Sequence, residues 1–81
     1  MSTFQQQMAE DQLAFLTFQL RLVANGYAVL EKPLFYEGLQ TRVDALIHER
    51  ALSSLLIPAY RRTMLDSIDD LYALYVAAIP Q

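Results

Sequence analysis

The chain has no cysteine and no tryptophan, and only two glycines, three prolines and one histidine in 81 residues. Without cysteine there is no disulfide scaffold, thiolate metal site or cysteine nucleophile. So few glycines and prolines leave little material for a Gly-rich phosphate loop or a many-turned β fold. Basic residues are scarce as well: six Lys and Arg stand against nine Asp and Glu. A nucleic-acid binder needs a basic face, because released counterions supply most of its affinity. Here Arg21, Lys32, Arg42 and Arg50 are dispersed and only Arg61 and Arg62 are adjacent. Asp66, Asp69 and Asp70 follow that pair within two turns, which makes a self-compensated helix face. The acidic surplus is too small and scattered to mimic a nucleic acid.

Long apolar runs are also missing. The longest, Leu71 to Ile79, is nine residues, against the roughly 20 that a membrane-spanning helix needs. Residues 1–11 have neither the basic region nor the apolar stretch of a signal peptide. The expectation is a soluble, cytoplasmic chain that uses no membrane.

What is present is mostly apolar. Hydrophobic residues are 54% and charged residues 19%, too greasy a mixture for disorder. The length fits one domain, 1–81. Three helical segments are expected. The first spans about 3–25, with Ser2 or Thr3 as its cap and Asn25-Gly26 as its stop signal. An apolar connector covers 26–33, either an extended packed linker or a strand that pairs with another molecule. The second helix spans about 34–52, entered through Pro33 and weakened in its first turn by Gly38. Ser53-Ser54 breaks it and is placed to cap the next helix. The third helix spans about 58–79, after a Leu55-Leu56-Ile57 bridge, and Pro80 ends it. The fold class is all-α, a small three-helix bundle with an extended connector between helices 1 and 2.

The helical wheel assigns faces at about 100° per residue. On the second helix, Phe35, Tyr36, Leu39, Val43, Leu46 and Ile47 share one side, and Glu37, Thr41, Asp44 and His48 the other. On the third, Ile57, Tyr60, Met64, Ile68, Leu71, Tyr75 and Ala78 form a stripe. Leu65, Tyr72, Leu74, Val76 and Ile79 widen it, so burial nearly all round is expected. Arg62 and Asp66 sit at ion-pair spacing on its polar strip.

The first helix carries two apolar stripes. Ala9, Leu13, Leu16, Leu20 and Val23 form one; Phe4, Met8, Phe15, Phe18 and Leu22 form the other, on the opposite face. Gln6, Glu10, Thr17 and Arg21 make a polar strip between them, and Gln12 and Gln19 a thinner one. Two apolar faces call for two packing partners. Phe4, Phe15 and Phe18 alone offer about 400 Å² or more of apolar surface, at the upper end of what soluble monomers leave bare. Covering it is worth roughly 10 kcal/mol at most before ordering costs. Either the connector and the bridge wrap over this face, or it forms an interface. The candidate interface residues are Phe4, Met8, Phe15, Phe18, Leu22, Tyr72 and Tyr75. For the two tyrosines the alternative is core rings whose hydroxyls reach the surface or a backbone group.

Catalytic chemistry is thin. His48 is alone on a wet face, with no HxxxH or ExxH partner. Asp66, Asp69 and Asp70 lack the glycine-bearing loop of a calcium site. No catalytic residue, metal or cofactor is assigned. A helix-turn-helix layout around residues 39–60 would begin its recognition helix with Leu55-Leu56-Ile57-Pro58-Ala59, which is wrong for base contacts. The expected function is a non-enzymatic protein–protein interaction module, an adaptor, regulator or inhibitor, with another protein as partner. Such a chain suits a regulator of a host or phage machine, and would then act in the host cytoplasm. The alternative is a structural homo-oligomer, a dimer through helix 1. A DNA-binding regulator is the third option.

Overall fold

The structure, a computed structural model, describes residues 3–80. It is all-helical, with four helices: α1 (Phe4–Ala24), α2 (Lys32–Glu49), α3 (Ile57–Asp66) and α4 (Ile68–Ala78). The expectation of three helices is corrected at Ser67, which interrupts the third. The Ser67 hydroxyl donates to the Thr63 carbonyl four residues back. This back-bond competes with the helical ladder and favours a bend. Asp69 and Asp70 then fall in the first turn of α4, where carboxylates suit the positive end of the helix dipole.

Helix ends follow side-chain chemistry. Thr3 caps α1 through a reciprocal box: its hydroxyl accepts from the Gln6 N–H, and the Gln6 side chain accepts from the Thr3 N–H. Ser2, the other candidate cap, lies outside the described residues. At the far end Tyr27 N–H donates to the Leu22 carbonyl and Gly26 N–H to Val23. This closure requires a left-handed residue, and Gly26 supplies it at φ 95°. The end of α2 closes in the same way, with Leu52 N–H on Ile47 and Ala51 N–H on His48. There the left-handed residue is an alanine, Ala51, at φ 49°. The second helix therefore stops at Glu49, ahead of the expected 52, and starts at Lys32, ahead of 34. Ser53 organises the following turn: its hydroxyl accepts from Leu55 N–H and its carbonyl from Leu56 and Ile57.

One core joins all four helices. Phe35, Leu39, Val43, Met64 and Tyr75 are fully enclosed, with Met8, Phe15, Leu16, Leu46, Tyr60 and Leu71 around them. Phe35 is the hub. Its ring centroid lies 4.8 Å from Tyr75, 5.2 Å from Phe15 and 5.4 Å from Tyr72, within the range of favourable aromatic pairs. The one-sided reading of α2 holds: Glu37, Thr41, Asp44 and His48 all face solvent. The all-round burial expected of the last helix does not. Leu74 is 56% and Val76 41% exposed, and Ala73 and Ala77 are exposed beside them. Neighbouring helices cover only the Leu71–Tyr75 side of α4. The expected Arg62–Asp66 pair is not among the ion pairs of the described residues, where Arg61 bridges to Asp44 and Lys32 to Asp69.

The connector between α1 and α2 is extended, with no strand among the described residues. It is pinned by α4. Leu30 N–H donates to the Tyr75 hydroxyl at 3.0 Å, and the Tyr72 hydroxyl donates to the Leu30 carbonyl at 2.9 Å. Two side chains thus satisfy the backbone pair that a neighbouring strand would otherwise engage.

Candidate protein-docking site

The two apolar stripes of α1 are closer together than opposite faces. Their centres lie about 135° apart on the wheel. The thin glutamine strip bisects that angle and points inward. Gln19 is buried, and Gln12 donates to the Thr63 carbonyl of α3. Both stripes therefore lean into the same core. Phe15 meets Phe35 of α2, and Phe4 meets Tyr60 of α3 at 6.0 Å. Leu16, Leu20 and Val23 of the other stripe join the same cluster.

This geometry corrects the proposed interface residue by residue. Met8, Phe15 and Tyr75 are buried in their own chain and present no surface to a partner. Phe4, Leu22 and Tyr72 are partly buried, with Phe4 and Tyr72 packed against the core. Tyr72 and Tyr75 spend their hydroxyls on Leu30. Phe18 alone of the seven stays open, at 54% exposure. The alternative, in which the Leu55-Leu56-Ile57 bridge wraps over this face, is not supported by Leu55 and Leu56, which stand at 88% and 41% exposure.

The open face of α1 is instead centred on the polar strip. Glu10, Ala14, Thr17 and Arg21 run along it, flanked by Leu13, 62% exposed, on one side and Phe18 on the other. Together with Phe15 and with Arg42 of α2 they line a concavity on the outside of the bundle. It mixes two exposed large apolar side chains with both signs of charge.

Sequence reasoning missed the buried ionic cluster behind this face. Asp11 is 6% exposed. Arg50 grips it with both guanidinium nitrogens, at 2.5 and 2.7 Å; the Tyr60 hydroxyl donates at 2.8 Å and Gln7 at 3.1 Å. Burial alone would raise the pKa of Asp11. The hydrogen bonds from Arg50, Tyr60 and Gln7, with the Arg50 charge, outweigh it and hold the carboxyl below its ordinary value. Burial, reinforced by the Asp11 carboxylate, pushes the Tyr60 phenol well above its usual pKa. Every member of the cluster is partnered, and none of them lines the concavity. The signal was present in the sequence: Asp11 falls on the Phe4–Phe15–Leu22 flank, where a lone carboxylate demands a cation.

Among the described residues no group of three or more acidic or histidine side chains converges to hold a metal, and no helix is long and apolar enough to cross a membrane. His48 is exposed. No family model, no characterised protein and no solved structure matches this chain.

Proposed function

We propose that this chain is a non-enzymatic protein-binding module whose docking surface is the outer face of α1. The observation that carries the reading is the pair Leu13 and Phe18, each more than half exposed on either flank of one concave helix face. Side chains of this size gain most when they insert into a protein partner, with the surrounding charges setting orientation. Use of the basic residues argues against a phosphate-binding role. Arg50, Arg61 and Lys32 are engaged by carboxylates, and Arg42 lies 4.0 Å from Glu49. Too few free cations remain to track a nucleic-acid backbone or an anionic membrane.

Capture from native lysate on immobilised protein tests the proposal, with Leu13→Glu/Phe18→Glu as control. Both side chains are exposed, so the control keeps its fold. A specific protein retained by the native chain and lost with the control is the expected result. Retention indifferent to the substitutions removes the α1 face from the function.

A further inference from the structure

We infer that the partner docked on the α1 face is a second copy of this chain, lying antiparallel across a twofold axis at the level of the Phe15–Leu16 peptide. The inference rests on the docking reading above and adds the identity of the occupant. It comes from the order of residues along the helix. Glu10, Ala14, Thr17 and Arg21 recur at spacings of four, three and four, which keeps them on one line, the seam of a helix pair. All four are exposed.

A twofold interface apposes the same patch from both copies, so each residue must find its complement at the reflected position on its own helix. The polar strip of α1 meets this condition at all four of its seam positions. About the midpoint between Phe15 and Leu16, Glu10 reflects onto Arg21 and Ala14 onto Thr17. Opposite charges meet at both ends. On the flanks each exposed apolar side chain meets its own symmetry mate, Leu13 on one side of the seam and Phe18 on the other. Small side chains meet at the centre, where they let the backbones approach. A parallel pair would set Glu10 on Glu10 and Arg21 on Arg21. Within one chain neither Glu10 nor Arg21 joins an ion pair among the described residues, so both charges remain available. The seam from Glu10 to Arg21 is about 16 Å long at 1.5 Å per residue. A contact of that length covers less than the roughly 800 Å² per partner of a standard interface, so the dimer is weak and concentration-dependent.

Sedimentation equilibrium of the full chain at low salt, from about 10 µM to about 1 mM, reads the association directly. The expected result is a monomer–dimer equilibrium. Glu10→Arg and Arg21→Glu each weaken it about tenfold by turning both symmetry-related pairs repulsive. The double variant Glu10→Arg/Arg21→Glu returns to within about threefold of the native chain, because the swap preserves antiparallel complementarity. Phe18→Glu is monomeric, with unchanged helix content by circular dichroism. A native chain that stays monomeric to the top of the range overturns the inference. So does a dimer indifferent to single reversals, or one that the double swap does not restore. If the chain is monomeric, lysate capture that still depends on Leu13 and Phe18 keeps the docking reading, whereas capture independent of them removes both.

Discussion

Arg50, the cap residue that follows α2, holds Asp11 in the middle of α1 across 39 positions of sequence, with two parallel hydrogen bonds of 2.5 and 2.7 Å. Tyr60 of α3 completes the grip on the same carboxylate. One side chain thus ties together three of the four helices. An ionic cluster of this kind adds little net stability over a well-packed apolar one, but breaking one member is severe.

Asp11→Asn is expected to destabilise the chain by about 2–3 kcal/mol, since it strands a partly buried guanidinium. Tyr60→Phe removes one charge-assisted bond and costs about 1.5 kcal/mol. Replacing Asp11 by Leu, Arg50 by Met and Tyr60 by Phe together recovers most of the Asp11→Asn loss, because nothing buried is left unpaired. Urea midpoints at neutral pH measure all three. A triple variant weaker than Asp11→Asn would refute this account.

Acid stability depends on the same carboxylate. The folded pKa of Asp11 is below its unfolded value of about 3.9. The unfolded chain therefore binds the proton first as pH falls. The Asp11 contribution is fully present above the unfolded pKa and fades as pH drops through the folded one. Denaturant midpoints measured from pH 6 to pH 2 should fall below about pH 4, and more shallowly in Asp11→Asn. Parallel curves would show that other carboxylates govern acid unfolding.

The two helix closures give a matched pair of backbone tests. Ala51 holds a left-handed conformation that glycine adopts freely, so Ala51→Gly is expected to stabilise by about 0.5–1 kcal/mol. Gly26→Ala should destabilise by about 1 kcal/mol through strain alone, because nothing lies within 4 Å of an added Cβ. Thermal melts with opposite signs for the two variants are the expected outcome.

Tyr72→Phe and Tyr75→Phe remove the hydroxyls that satisfy Leu30. Each is expected to cost about 1 kcal/mol. Hydrogen exchange separates them. The Leu30 amide loses protection in Tyr75→Phe, whose hydroxyl accepts from it, and keeps more of it in Tyr72→Phe, which touches only the carbonyl.

Local chemistry made much of the fold readable in advance. The Asn25-Gly26 stop, Pro33 beside the start of α2 and the one-sided wheel of Phe35, Leu39, Val43 and Leu46 each act within a few residues, and each matched. Two equally local features gave no readable signal. Ser67 reads as an ordinary helix residue until its hydroxyl turns back on Thr63. The left-handed turn at Ala51 has no glycine to announce it. The candidate site was half legible because it depends on distant contacts. The wheel located the apolar stripes of α1 but not which side the other helices would take. Phe18 stayed open, Phe15 went inside, and Leu13, assigned to the other stripe, emerged beside the polar strip.

The tyrosine clamp on Leu30 orders events in time. The crossover from α1 to α2 is secured by hydroxyls synthesised 42 and 45 residues later. A nascent chain that has finished both flanking helices still has a loose hinge between them. Latching of this crossover waits until α4 has left the ribosome and folded back.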